Sequence, residues 1–349
     1  MSRRLRQRAA PMRARRQRGV AVITALLLTT LAVTIVASLF WQQQVQVRSI
    51  ENQRMQLQKQ WILRGALDWA CLILTESGRV SAEVDTLQQP WAVGLAETRL
   101  DSYVENGRSD SEASDASISG KIIDAQSRLN LKGLSTGGKI DPAELRAFAT
   151  LLTILKINPA LAEAAAVTMA ASQPKQVPPA PVQNAGQSGT ATTPVTPPTL
   201  PGATAAVSTI APPRDANRPL EIAQVDDLLA VPGFTPAIVA QLKNFVIILP
   251  AVTPVNFNTT SAEVLAARVD TLSIAEARAI ILNRDRGSPA RDMAYVKRSL
   301  SDRTPTGLSV RTDYFLVDGK VKLNRAGLDV QALIQRNGGR STVLWIRET

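Results

Sequence analysis

Few side chains among these 349 residues are equipped for chemistry. Histidine is absent, which excludes His-based triads, His-ligated zinc and imidazole acid–base work. The single cysteine, Cys71, falls among Leu67, Ala70 and Leu74 on a helical face, the setting of a buried small hydrophobe rather than a reactive thiol. Asp124, Arg128 and Asn130 share the stretch Asp124–Leu131, a polar turn with two apolar anchors. A catalytic role for these three needs a partner base, and the sequence offers none, so they read as ties on a chain reversal. The remaining candidate is a peptide bond. An arginine cluster stops at Gly19, an apolar run starts at Val20, and Thr24 carries the first hydroxyl of that run.

These features require an element to hold them. From Val20 to Phe40 nothing is charged, and the next ionisable residue is Arg48. Twenty-one helical residues span about 30 Å, the hydrocarbon thickness of a bilayer. Eight arginines and no acid precede Gly19, so the positive-inside rule keeps residues 1–19 in the cytoplasm and sends the remainder across. The expectation is a single-pass protein of the lipid bilayer. The leader supplies 8 of the net charge of +11, and beyond it 32 Lys and Arg face 29 Asp and Glu. That balance gives no reason to expect a nucleic-acid partner.

The helical pattern continues through Val47, Ile50, Leu57, Trp61, Leu67, Cys71 and Leu74, with Ser77-Gly78 as the expected stop. Ser117–Asp124 reads as a strand, and another is expected near Arg99–Val104. Asp141-Pro142-Ala143-Glu144 opens a helix with a capping box, and Asn158-Pro159 opens the next, to about Ala171. Residues 173–213 contain ten of the 21 prolines and no acid, a composition too poor in core-forming residues to order itself. Helical pairs follow: Ile222–Leu229 with Pro236–Phe245, then Ala262–Val269 (boxed by Thr260 and Glu263) with Ile274–Arg284. The tail turns to strands at Tyr314–Val317, Lys320–Leu323, Ala332–Arg336 and Thr342–Ile346, with hairpin turns at Asp318-Gly319 and Asn337-Gly338-Gly339.

The fold class is therefore α+β. A long N-terminal helix packs on one antiparallel sheet built from early and late strands, with an all-α lobe of helix-hairpin-helix character inserted between them. The expected units are a leader at 1–19, the transmembrane and extended helix at 20–77, first strands at 78–135, the lobe at 136–305 and last strands at 306–349.

The basic leader, the glycine and the apolar helix resemble a type IV prepilin, whose dedicated peptidase cuts after the glycine. The resemblance implies cleavage between Gly19 and Val20 and N-methylation of Val20 by the same enzyme. Most pilin-like subunits carry Glu at mature position five, which neutralises the terminal ammonium of the subunit ahead; this chain has Thr24 there. A subunit without that carboxylate fits best where nothing precedes it. With Asp124–Leu131, Asn217-Arg218-Pro219-Leu220, Pro254–Thr259 and the terminal strands in order, the chain resembles the K-type minor pseudopilins of bacterial type II secretion.

That resemblance implies a non-enzymatic protein of the bacterial inner membrane with its C-terminal domain in the periplasm. Its implied partners are I- and J-type minor pseudopilins, the prepilin peptidase and the inner-membrane secretion platform. Its implied work is to initiate and cap the pseudopilus that exports folded proteins. Some members bind calcium after the second lobe helix, but Val167–Ser172 has no carboxylate, so no metal or cofactor is expected. A competing resemblance is to single-span competence DNA receptors. Val231-Pro232-Gly233-Phe234 resembles a helix-hairpin-helix turn, and Val255–Thr259 resembles the approach to such units.

Overall fold

Helix α1 (Arg18–Val80) contains 63 residues and runs about 95 Å, so the rod and the packed part of the molecule are one element. The computed structural model describes residues 18–99, 116–173, 219–287, 289–301, 303–304, 306–323 and 326–349. The arginine-rich stretch 1–17, residues 100–104 of the expected early strand, and nearly all of the proline-rich segment lie outside them. In chain order α1 is followed by β1 (Leu95–Arg99), β2 (Ala116–Asp124), β3 (Leu129–Asn130), β4 (Ser135–Thr136) and β5 (Lys139–Ile140). Then come α2 (Pro142–Ile154), α3 (Ala160–Ser172), α4 (Pro236–Leu242), β6 (Val246–Ile247), β7 (Val255–Asn256), α5 (Ala262–Arg268), α6 (Ile274–Asp285) and α7 (Met293–Ser299). The chain closes with β8 (Leu308–Ser309), β9 (Tyr314–Leu323), β10 (Ala326–Asn337) and β11 (Arg340–Glu348).

The main sheet has the order β1-β2-β9-β10-β11 and is antiparallel throughout. Early strand β2 pairs with late strand β9 from Ala116↔Leu323 to Asp124↔Phe315, which leaves everything between them as an insertion. Alternation decides the layers. Phe315 and Ile334 point to α1, where they bury Ala70, Leu74 and Trp91, with Trp91 edge-on to Phe315 at 5.2 Å. Tyr314, Leu316 and Leu333 point the other way, against Ile247 and Leu249. The lobe has its own core around Phe148, Leu151, Leu152, Phe257 and Leu265.

Two short parallel ladders staple the lobe. Leu129↔Val246 and Asn130↔Ile247 close its first half, and Val255↔Leu308 and Asn256↔Ser309 close its second. Inside it, Arg268 of α5 reaches Glu144 of α2 at 2.6 Å.

Several local expectations are corrected by packing. The first helix does not stop at Ser77-Gly78; it continues to Val80. Gly78 is a contact site there, since a Cβ would lie 2.8 Å from the Arg336 side chain. Asp318-Gly319 makes no turn either. Gly319 sits mid-strand in β9, paired with both Gly120 and Val330, because a ladder on each side outweighs the turn preference of the dipeptide. The strands expected at Tyr314–Val317 and Lys320–Leu323 are thus one. At the other end Asn337 pairs with Arg340 around Gly338 and Gly339, both at positive φ, the hairpin expected there.

Asp141 caps α2 by accepting from Ala143 N and Glu144 N, but Glu144 turns to Arg268 instead of completing a box. For α5 the cap is Ser261, because the Thr260 hydroxyl donates to Ser127 O across the lobe. The segment expected as helix at Ile222–Leu229 is a single 3-10 stretch, Val225–Ala230. Helix α7 was not expected from the sequence; it is capped by Asp292, whose side chain accepts from Tyr295 N.

Candidate functional sites: the exposed rod and the lobe–sheet seam

The apolar half of α1 stands clear of the rest of the protein. Val22, Ile23, Leu26, Leu27 and Phe40 are exposed, and none of the most apolar window, with mean hydropathy 2.4, is buried. It is the one helix among the described residues long and apolar enough to cross a membrane. Gly19 and Val20 lie in its first turn. The Thr24 hydroxyl donates to Ala21 O at 3.0 Å, and Thr29, Thr30 and Thr34 bond the same way to carbonyls three or four residues back. Every threonine of the apolar run satisfies its own polar group inside the helix, which is what a hydrocarbon environment demands. Thr24 offers no charge at this position, only a locally bonded hydroxyl.

The second site is the seam where lobe meets sheet, and it contains the polar cluster singled out above. Asp124 ends β2 and is 2% exposed. Its carboxylate accepts from Gln126 N at 2.7 Å, Thr259 Oγ1 at 2.6 Å, Thr312 Oγ1 at 2.6 Å and Asn256 Nδ2 at 2.9 Å. Burial pushes the Asp124 pKa up to about 6, and the four donated hydrogen bonds only partly pull it back. Asn130 is equally engaged: its Nδ2 donates to Ala251 O and Thr253 Oγ1, and its Oδ1 accepts from Lys132 N and Leu249 N. Arg128 makes neither set of bonds. Burial lowers its pKa, opposed by the Asp318 carboxylate.

Next to this lies a buried ion pair that no motif announced. Asp85, from the loop after α1, is fully buried against Arg336 of β10, which is 3% exposed. Thr312 bridges the two carboxylates: its N–H donates to Asp85 and its hydroxyl to Asp124. Arg336 also donates to Thr312 O and lies 4.9 Å from the Phe315 ring centroid. The one available signal was an arginine two residues after Ile334, on the inward face of a strand; nothing in the sequence marked Asp85.

The arrangement connects; it is not built to react. Every polar group on Asp124 and Asn130 that could act on a substrate is already hydrogen-bonded to protein. Cys71 is half-buried beside the α1-facing cluster, and burial, assisted by Asp68, raises its pKa, which disfavours the thiolate. What the seam does mechanically is tie four segments (the loop after α1, β2, the Asn256–Thr259 turn and the start of β9) into one block.

The helix-hairpin-helix turn is also used internally. Gly233 has φ +96°, and a Cβ there would fall 2.6 Å from Leu161 Cδ2, so the turn is seated on α3 rather than open to a phosphate. Gly233→Ala is expected to lower stability by about 2 kcal/mol through combined strain and overpacking. A thermal melt unchanged from wild type would contradict that packing.

Two family models, both describing type II secretion system (T2SS) protein K, match residues 127–251 and 255–309, together just over half of the chain. They meet at the junction between the two stapled halves of the lobe. Among solved structures, a chain in the crystal structure of the GspK-GspI-GspJ complex from the enterotoxigenic Escherichia coli type 2 secretion system superposes with a TM-score of 0.54 at 21% identity. The match covers 86% of this chain and 98% of that one, a similarity of fold. No curated protein matches the sequence. The stapled lobe inserted into an antiparallel sheet behind a long apolar helix, together with both family matches, places this chain in the type II secretion system protein K family, the K-type minor pseudopilins.

Proposed function

We propose that the protein is the tip subunit of a type II secretion pseudopilus, initiating its assembly and capping it. The observation that carries this reading is Thr24. A following subunit can place its own carboxylate beside the Val20 amine of this chain, but this chain brings no carboxylate to a subunit ahead of it. The lobe supports the same end position, because so large an insertion on one side of the sheet is hard to repeat along a thin filament. The E. coli structure contains GspI and GspJ beside GspK, and on that similarity the partners proposed here are the I- and J-type minor pseudopilins.

In this reading the precursor sits in the inner membrane with its arginines in the cytoplasm, and the lobe and sheet stand in the periplasm. Prepilin peptidase removes residues 1–19 and methylates Val20. Intact-mass and N-terminal analysis of protein recovered from membranes is expected to find methylated Val20 as the first residue, and Gly19→Leu is expected to leave only the uncut precursor. Recovery of wild-type protein that still starts with its leader would overturn the processing step. Labelled subunits found along the shaft, rather than at one end, would overturn the capping role.

A further inference from the structure

The second half of the lobe carries more basic side chains than it neutralises. Arg268, Arg278, Arg284, Arg303 and Arg311 are each paired with a carboxylate. Arg286, Arg291, Lys297 and Arg298 are all exposed, and among the described residues their side chains have no hydrogen-bond or ion-pair partner. These four are consecutive basic residues of the sequence, gathered at the corner where α6 gives way to α7. Asp285 and Asp292 do not offset them: Asp285 holds Arg284, and Asp292 caps α7 by accepting from Tyr295 N.

The corner is fixed in place. Arg284 Nη1 donates to Phe257 O and Thr260 O, and the Asn258 side chain accepts from Ala290 N and donates to Ala290 O. One turn, residues 257–260, therefore holds both limbs, and Val296 and Leu300 anchor α7, fully buried. The charges lie beside apolar surface. Leu282 (55% exposed) is one helical turn before Arg286, and Met293 (36% exposed) is one turn before Lys297, so each pair shares a face. Arginine and methionine are enriched at protein interfaces, and a surface already held in place loses little freedom on binding.

The chain does not supply the missing acid itself. Residues 173–213 contain none. Residues 101–115 contain five, but they are tethered at Arg99 and Ala116, the end of the sheet farthest from Asp124 and the lobe. Doubled back at full extension, a loop of that length reaches about as far as β2 is long, to the seam and not past it to α7. A bilayer is out of reach as well. From Phe40 to Val80 α1 runs about 60 Å, and Asp85, just beyond that end, is hydrogen-bonded into the seam. Exposed charges are screened over about 10 Å. The leucine and methionine among the charges favour a protein over the phosphates of a nucleic acid.

We propose that the α6–α7 corner is a docking surface for an acid-rich segment of another protein in the same compartment. Its carboxylates meet Arg286, Arg291, Lys297 and Arg298, and its apolar residues meet Leu282 and Met293. Each arginine presents a fork that matches a carboxylate, so the contact has direction as well as charge. The inference rests on the lobe alone and stands whether or not the chain caps a filament.

The test uses the full chain in neutral detergent micelles and a fluorescein-labelled peptide of Glu-Glu-Leu repeats, with binding followed by anisotropy at low salt. Arg286→Ala, Arg291→Ala, Lys297→Ala and Arg298→Ala combined are expected to weaken binding about tenfold and to leave the thermal melt unchanged, since all four side chains are exposed. Lys139→Ala, Arg146→Ala and Lys156→Ala combined, at exposed positions on the first half of the lobe, are expected to change it less than about twofold. Equal weakening by both sets would show a response to net charge alone and overturn the proposal. So would binding that survives the four substitutions, a DNA duplex that binds more tightly than the peptide, or binding to phosphatidylglycerol vesicles without binding to the peptide.

Discussion

Asp124→Ala is expected to destabilise the protein by about 3 kcal/mol at pH 7, measured by urea unfolding of the full chain in micelles. Alanine leaves the Gln126 amide, the Asn256 side chain and the Thr259 and Thr312 hydroxyls aimed at an empty site. Each buried donor without an acceptor costs roughly 1–3 kcal/mol, and the relief of no longer burying a charge offsets part of the total. The deficit also has a pH signature. The folded carboxyl has its pKa raised from 3.8 to about 6, so the native state holds this proton more tightly than the unfolded chain does. Its favourable contribution is complete below the unfolded value and is lost as pH rises through 6.

Wild type therefore gains up to about 3 kcal/mol from Asp124 between pH 7 and pH 4, a gain that alanine cannot make. The gap between the two proteins should widen as the solution is acidified over that window. A gap that stays constant would argue against burial as the dominant influence on this carboxyl. A deficit under about 1 kcal/mol at pH 7 would argue against the seam as a structural tie.

The second large effect is expected at Arg336. Arg336→Met should cost about 3–5 kcal/mol, because Asp85 is left fully buried with its charge uncompensated and the Thr312 amide as its remaining donor. Much of the methionine side chain would still fit over Gly78 and beside Phe315, so the loss reports charge rather than volume. The pair itself contributes little beyond what apolar residues would. Among the described residues Asp85 Oδ1 and Arg336 Nη1 have no hydrogen-bond partner, so the bridge is made by one arm of each group. The double variant Asp85→Leu/Arg336→Met is accordingly expected to regain most of the stability lost in the single one. A double variant as unstable as Arg336→Met would show that the pair does more than neutralise itself. Because Arg336 closes the sheet against the loop after α1, the single variant should also raise hydrogen exchange in β9 and β10.

The α1 rod was legible because one physical requirement, apolar surface without charge over a bilayer's thickness, acts on every residue from Val20 to Phe40. The shared sheet was legible from its two ends: Ser117–Asp124 and the terminal strands each alternate, and Asn337-Gly338-Gly339 closes a hairpin that needs positive φ. Boundaries failed where a long-range contact overruled a local preference. Ser77-Gly78 carries a stop signal, yet Arg336 lies over that glycine and the helix continues. Asp318-Gly319 carries a turn signal, yet strands on both sides hold it straight. Thr260 and Glu144 carry capping signals, yet each has a distant partner, Ser127 and Arg268.

The composition and order of residues by themselves determined the membrane rod, the absence of histidine chemistry, the uncharged position at Thr24 and the insertion of a helical block between strands of one sheet. These are properties of a residue and its near neighbours, set by hydrophobic period, charge and backbone stereochemistry. Only the tertiary structure decided that Asp124 would meet Asn256, Thr259 and Thr312, and that Asp85 would find Arg336 across 251 positions. A buried polar group must be satisfied, but nothing local says which remote donor will do it; that choice is made when the lobe docks on the sheet and water is excluded from between them.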